Sequence, residues 1–311
     1  MMTNKNKTVA IVVTYNRKEL LYKCLRALFN QSAACDIVLV DNASTDGTQD
    51  YLREQGLFDD KPPIHYLRLE ENIGGAGGFH EGLKFVMSRS WQWYWLMDDD
   101  AEPEQDALMN LLKNADEIRT IYGSTALGKG KEERRLCWPP YVIGRNKNEF
   151  IENYELLQEF EDVSAIPFLG FFIHAEMVRQ IGLPDSDLFI YSDDQEYCER
   201  AKNFGAKIVL VKKSIIKHPL PKSGVTYRLM NIRIVYRSLP PWRIYYYVRN
   251  KILVGRQYYG FRLWSQTMPG ILFRAFIALF RENHRLKILC AYALAIKDGF
   301  SNIKGKRFLP L

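Results

Sequence analysis

The chain is poor in the features that mark several protein classes. Its five cysteines (Cys24, Cys35, Cys137, Cys198, Cys290) are dispersed and form no C-x-x-C pair. That excludes a disulfide framework or a structural zinc site and fits a reducing cytoplasm. No window approaches ~20 uninterrupted apolar residues, so no transmembrane helix is expected. The start, MMTNKNKTVAIVV, lacks the charged n-region and long apolar run of a secretory signal. Acids nearly vanish from residues 221–311, where 17 Lys and Arg face only Glu282 and Asp298. That segment carries +15, and because the whole chain carries +7, residues 1–220 carry −8. An acidic body joined to a basic, aromatic tail implies two jobs.

With 311 residues and 47% hydrophobic content, the chain can bury a sizeable core in one large domain plus an appendage. Strand and helix signals alternate. Val9 to Thr14, Ile37 to Val40, Ile64 to Leu69 and Trp91 to Met97 read as strands. Lys18 to Phe29, Thr48 to Leu52 and Ala76 to Ser88 read as helices. This order predicts an α/β fold with a mostly parallel sheet covered on both faces. Ligands of such sheets bind beyond the carboxyl ends of the strands. Those ends carry Tyr15-Asn16-Arg17, Asp41-Asn42-Ala43-Ser44, Glu71-Asn72 and Asp98-Asp99-Asp100, so four polar clusters are expected to share one cleft. Residues 123–165 read as irregular structure bordering it. A short helix is expected over Ala175 to Ile181, another from Asp193 to Phe204, and a strand over Ala206 to Val211 with His218 just beyond.

Three clusters carry chemistry. Three adjacent aspartates repel one another, and a hard divalent cation relieves that repulsion; an acidic turn capping a helix explains the triplet equally well. Asn72-Ile-Gly-Gly-Ala-Gly-Gly-Phe79 brings backbone N–H groups toward an anion at a helix N-terminus, or is a flexible loop. It matches neither the dinucleotide fingerprint nor the P-loop. Asp193-Asp194 at a helix start fits a general base held ionised by the helix dipole, or plain N-capping.

Taken together, T-Y-N-R (Thr14 to Arg17), V-D-N-A-S-T-D-G-T (Val40 to Thr48), N-I-G-G-A-G-G-F, D-D-D, D-D-Q-E (Asp193 to Glu196) and His218 resemble glycosyltransferase family 2. The likeness covers roughly residues 8–220. It is greatest to bacterial galactofuranosyltransferases, with rhamnosyltransferases close behind, and R-I-Y-Y-Y-V-R-N (Arg243 to Asn250) is similar to both. The resemblance implies a GT-A fold, a nucleotide-diphosphate sugar donor and Mn²⁺ or Mg²⁺. It places Thr14, Asn16 and Arg17 in the nucleotide pocket, and Asp41 on the uracil or thymine ring. Asn72, Gly74 and Gly75 border the nucleotide and donor sugar. Asp98, Asp100 and His218 hold the metal, and Asp99 faces the sugar or ribose. Asp194 is the implied base, Asp193 helps position the acceptor, and Phe171 and Phe172 stack on a sugar.

The expected activity is inverting transfer of galactofuranose from UDP-galactofuranose to a lipid-linked glycan acceptor, with dTDP-rhamnose as the alternative donor. A non-catalytic nucleic-acid or membrane-binding module is the other class, but nucleic acid is not expected as a partner because the acidic clusters have no role there. Residues 1–220 form the expected catalytic domain. In 221–311, Trp242 to Arg256, Pro269 to Arg281 and Leu286 to Lys297 read as amphipathic helices with basic flanks. They suit an anionic inner-leaflet membrane surface, which implies a cytoplasmic, peripheral location. Packing on the body or in a homo-oligomer is the other use of such faces.

Overall fold

The computed structural model describes residues 7–58, 63–130, 134–143, 149–220, 224–229 and 232–307. The first six residues, and 131–133 of the charged stretch KGKEERR, lie outside them. β1 (Thr8–Thr14) pairs in parallel with β2 (Asp36–Asp41) and β4 (Trp93–Asp98), and β2 with β3 (Ile64–Arg68). Both faces of these strands are covered, so β1 is buried along its whole length. Alternate residues feed two cores. Ile11, Val13, Val38 and Val40 pack under α3 (Gly74–Met87) with Phe79 and Leu83. Ala10, Val12, Ile37 and Leu39 pack under α1 (Lys18–Phe29) with Leu21 and Leu25. α2 (Thr48–Glu54) follows β2.

Beyond β4 and a short α4 (Ala107–Leu112), the sheet continues in mixed fashion. β10 (Phe171–His174) is antiparallel to β4 and β6 (Thr120–Leu127), β11 (Lys207–Lys217) is parallel to β6 and antiparallel to the short β5 (Glu102–Pro103) and β9 (Phe160–Asp162), and β7 (Tyr141–Val142) pairs with β8 (Glu149–Phe150). This corrects the reading of 123–165 as irregular from its start, because β6 is buried throughout. Its Gly123-Ser124-Thr125 core lacks an apolar signature. Ser124 and Thr125 satisfy their hydroxyls on Ser214 (2.8 Å) and the Val211 carbonyl (3.1 Å). β11 also runs past the expected end at Val211 through a register shift before Ile215. The mainly parallel sheet flanked by helices is the expected α/β, GT-A-type architecture. α5 (Ala175–Ile181) and α6 (Asp193–Asn203) lie where the sequence places them.

The basic tail folds as a hairpin, β12 (Val225–Leu229) and β13 (Ile232–Tyr236), followed by α7 (Pro241–Val254), α8 (Met268–Arg281) and α9 (Arg285–Phe300). Two π-helical turns, Gly255–Tyr259 and Leu263–Thr267, separate α7 from α8. These helices share their own core, which includes Tyr246, Ile252, Ile271 and Ala295 and which Phe189 of the body enters. One finding departs from the sequence expectation. The second π turn continues into α8, and Leu263–Arg281, 19 residues of mean hydropathy 1.2, is long and apolar enough to cross a membrane by length and composition. Counting uninterrupted apolar residues hid it, because Ser265, Gln266 and Arg274 lie inside it.

Candidate active site

Strand register brings the polar clusters together. Thr14 pairs with Asp41 and Val13 with Asp98, so three strand ends lie abreast, and Leu69 at the end of β3 bonds the Asp41 carbonyl (2.8 Å). At the end of β4, solvent reaches the Asp98 side chain although dense protein surrounds it, as at the floor of a cleft. Burial, then Asp100 and Asp99, raises its pKa well above the usual carboxylate range, and the charge of Asp193 adds to that rise. Hydrogen bonds give the adjacency: Asn42 at the end of β2 donates to the Gly74 carbonyl (2.8 Å), and the Ala76 N–H to the Phe189 carbonyl (3.1 Å), so the loop leading to Asp193 lies beside the strand ends.

Asp99 differs from its implied role. It is buried and turned inward, accepting from the Thr14 hydroxyl (2.8 Å) and Arg17 (3.0 Å). Arg17 also bridges to Asp100 (2.9 Å). Thr14 and Asp99 thus brace the strand ends rather than line the open pocket. Burial raises Asp99 to about 6 against the pull of Arg17. Asp100 goes the other way: burial pushes it up, but His218 and Arg17 outweigh that and hold it low.

The donor set at Asp100 fits a divalent cation. His218 Nδ1 lies 2.6 Å from the Pro219 carbonyl, which can only accept, so Nδ1 carries a proton. In the neutral ring Nε2 then presents its lone pair 2.9 Å from Asp100 Oδ1; in the protonated ring it donates there, as the ion pair that holds Asp100 low. Two lone pairs this close need a proton or a cation between them. An imidazole whose other nitrogen donates to a backbone carbonyl is the usual form of a metal-ligating histidine. Among the described residues no three His, Cys, Asp or Glu side chains are already drawn into a cage. Asp100 and His218 converge at 2.9 Å.

Asp41 is sealed in. Its side chain is fully buried and accepts from the Ser44 N–H (2.7 Å), the Tyr66 hydroxyl and Arg68 (3.1 Å). Tyr66 and the half-exposed Arg68 occupy the Asp41 oxygen that the resemblance offers to a uracil or thymine ring. Tyr66 and Arg68 were passed over in the sequence, although Arg68 ends a strand as the other clusters do. Asn16, left-handed at φ 54°, accepts from the Thr45 N–H (2.7 Å) and ties the first strand end to the second. The glycine segment is helix rather than loop. A Cβ on Gly78 would lie 2.4 Å from Val13, and one on Gly82 2.6 Å from Ile11, so these glycines let α3 approach β1. At the helix start, Asn72 Oδ1 accepts from the Gly74 N–H (2.8 Å), and only Gly75 of the opening pair faces open space. Phe171 and Phe172 are fully buried, with Phe172 stacked on Trp93 at 4.7 Å, so neither can stack on a sugar.

Asp193 and Asp194 open α6 after a loop in unusual backbone. Phe189 (φ 66°), Tyr191 (φ 67°) and Ser192 (φ 62°) are all left-handed. Such positions cost roughly 1–3 kcal/mol each when a side chain is present, and strain of this kind gathers at functional sites. The Ser192 side chain makes no cap bond, and Asp194 accepts from the adjacent Gln195 N–H (2.7 Å). Burial raises the pKa of both carboxyls, and Asp194 adds to the rise at Asp193.

The profile of Glycosyl transferase family 2 matches residues 9–180. The chain belongs to this family. It is 31% identical to galactofuranosyltransferase GlfT1 of Mycobacterium tuberculosis over 68% of this chain and 69% of that protein. It is 25% identical to the dTDP-rhamnosyl transferase RfbF of Shigella flexneri over 95% of this chain and 96% of that one. Among solved folds, the mannosyltransferase of Pyrobaculum calidifontis in complex with GDP-Man and Mn²⁺ superposes with a TM-score of 0.55, at 15% identity, over 96% of this chain and 76% of that one. For this family member the fold is GT-A and the cleft lies at the carboxyl ends of its strands.

Proposed function

We propose that the protein is an inverting, metal-dependent galactofuranosyltransferase, which takes UDP-galactofuranose as donor and a lipid-linked glycan of cell-surface polysaccharide synthesis as acceptor. The observation that carries the reading is His218 Nε2 at 2.9 Å from Asp100 at strand ends that also carry Asp98 and Asp99, with the loop into Asp193-Asp194 bonded to the start of α3 through the Phe189 carbonyl. Similarity to GlfT1 supports the sugar. Asp98, Asp100 and His218 would hold the cation, which when bound neutralises the leaving diphosphate. Asp194 takes the proton of the acceptor hydroxyl as its oxygen attacks the anomeric carbon. The new C–O bond forms as the bond to the diphosphate breaks from the opposite face, so configuration inverts and UDP departs. Asp193, beside Asp194, orients the hydroxyl. The glycine-led start of α3 borders the donor at Asn72, Gly74 and Gly75, and Asn16 and Arg17 flank the nucleotide.

Transfer of rhamnose from dTDP-rhamnose is the second reading. It is favoured by the RfbF alignment, which runs through the basic tail as well as the catalytic body. Incubation with each nucleotide sugar, with and without Mn²⁺ or EDTA, and with a lipid-linked acceptor separates the two. Release of UDP only with UDP-galactofuranose is expected; release of dTDP only with dTDP-rhamnose refutes the first reading. The tail supports placement on the inner face of the membrane. Leu272, Phe276 and Phe280 are exposed at intervals of four along α8, and Phe261, Trp264 and Leu286 extend that surface. Exposed Arg262, Arg285 and Lys287 flank it, as an anionic interface requires.

A further inference from the structure

The motif R-I-Y-Y-Y-V-R-N has no part in the reaction described so far. Its last two residues, Arg249 and Asn250 on α7, are fully buried polar side chains. Arg249 Nε donates to Asn250 Oδ1 (2.9 Å), which fixes the amide so that its NH₂ faces away from the guanidinium. That NH₂ lies 2.8 Å from each of three carbonyls, those of Leu188, Ile190 and Tyr191. The guanidinium adds bonds to the carbonyls of Asp187 and Leu188 (both 3.2 Å), and to Gly305 (2.6 Å) near the end of the described chain. All but one of these acceptors lie in the loop 187–192 whose Phe189, Tyr191 and Ser192 are left-handed and which leads directly into Asp193-Asp194. The same loop touches the donor side. The Phe189 carbonyl accepts from the Ala76 N–H (3.1 Å), in the first turn of α3.

From this we propose that Arg249 and Asn250 are positioning residues for sugar transfer. A sparsely populated backbone persists only where its surroundings over-determine it. Here the surroundings are one amide and one guanidinium from the tail, which gather four of the five carbonyls of residues 187–191, the fifth, that of Phe189, bonding α3. The clamp sets the direction in which α6 starts, and therefore where the carboxylate of Asp194 stands relative to the donor. This rests on the reading of Asp194 as the base. The tail is then part of the catalytic apparatus as well as a docking device. A staple joining tail to body would need the bonds but not the selection of one residue's loop, and the two roles differ in what they change.

The test uses the full-length protein with Mn²⁺, UDP-galactofuranose and the lipid-linked acceptor. Asn250→Ala is compared with Tyr236→Phe, which removes a different, part-buried hydrogen bond of the tail, to Glu282 at 2.7 Å, and with Asp194→Asn. Asn250→Ala is expected to lower kcat by about 10²-fold, the effect of a displacement near 1 Å, and to leave the Kd of UDP with Mn²⁺ within about threefold. Tyr236→Phe is expected to lose comparable thermal stability and keep its kcat. Asn250→Ser, which retains one donor, should fall between Asn250→Ala and the native chain, and carries the comparison if Asn250→Ala does not fold. A kcat loss no larger than that of Tyr236→Phe, with Asp194→Asn inactive, overturns the clamp alone. Full turnover in Asp194→Asn removes the base assignment, and the clamp falls with it.

Discussion

Gly74→Ala is the sharpest probe of how the donor side and the base side of the cleft are joined. Gly74 sits at φ +79°, and a Cβ built there would lie 2.0 Å from the Phe189 carbonyl oxygen and 2.6 Å from its carbon. Ordinary contact begins at 3.4 Å, so the loop must retreat by about 1.4 Å or the helix start must unwind. The left-handed conformation alone costs a residue with a Cβ roughly 1–2 kcal/mol. Overpacking against backbone adds ~1–3 kcal/mol, for a total near 3 kcal/mol. Gly75 is the matched control, because nothing lies within 4 Å of its Cβ position and its φ is ordinary. There alanine should be neutral or gain up to ~1 kcal/mol of helix propensity. Urea titration followed by circular dichroism reads both. Turnover of Gly74→Ala should fall about 10²-fold through displacement of Asp193-Asp194. Equal midpoints for the two variants would refute the close approach of α3 to Phe189 and the coupling argued from it.

Three further outcomes follow from charge and exposure. Turnover should rise with pH through about 6, because burial raises Asp194 to that value and only its ionised form accepts a proton; a profile flat from pH 5 to 8 would contradict the assignment. A raised folded pKa favours the protonated form, so its stabilising contribution is complete below the ordinary value of 3.8 and lost as pH rises through the folded value. Asp194→Asn should therefore be inactive yet more stable than the native chain by about 1 kcal/mol at pH 8, after allowance for solvent screening, with little gain at pH 4. Replacing Leu272, Phe276 and Phe280 together with Ser should abolish sedimentation with phosphatidylglycerol vesicles at low salt while leaving turnover on a soluble acceptor intact; unchanged sedimentation would remove α8 as the docking face.

Legibility in the sequence tracked how local the cause was. The first four strands were readable because Val9 to Val13, Ile37 to Val40 and Trp93 to Met97 are apolar runs bounded by polar turns. Their carboxyl ends named the cleft without any contact being known. β6 was not readable, because its interior is Gly-Ser-Thr and its burial depends on hydroxyl partners some 86 and 90 residues away. The glycine segment was visible as a motif, but its reason was not: Gly78 and Gly82 answer to Val13 and Ile11 on another element. Residue type likewise identified Asp41 and Asp99 as important and missed that Tyr66, Arg68, Thr14 and Arg17 enclose them. The resemblance placed Phe171 and Phe172 on a sugar, and their burial was not legible because their partners in the sheet, Leu96 and Trp95, lie far off in sequence.

The division drawn near residue 220 marks a change of composition, and the buried pair on α7 reaches across it. Arg249 and Asn250 hydrogen-bond residues 187–191 across about 60 positions of chain. Phe189 completes the tail's own core in return. Neither half is therefore modular. A catalytic portion transplanted onto a foreign anchor would bring its sugar-nucleotide cleft intact but leave the start of α6 unsupported, and heat should melt the native chain as one unit rather than two.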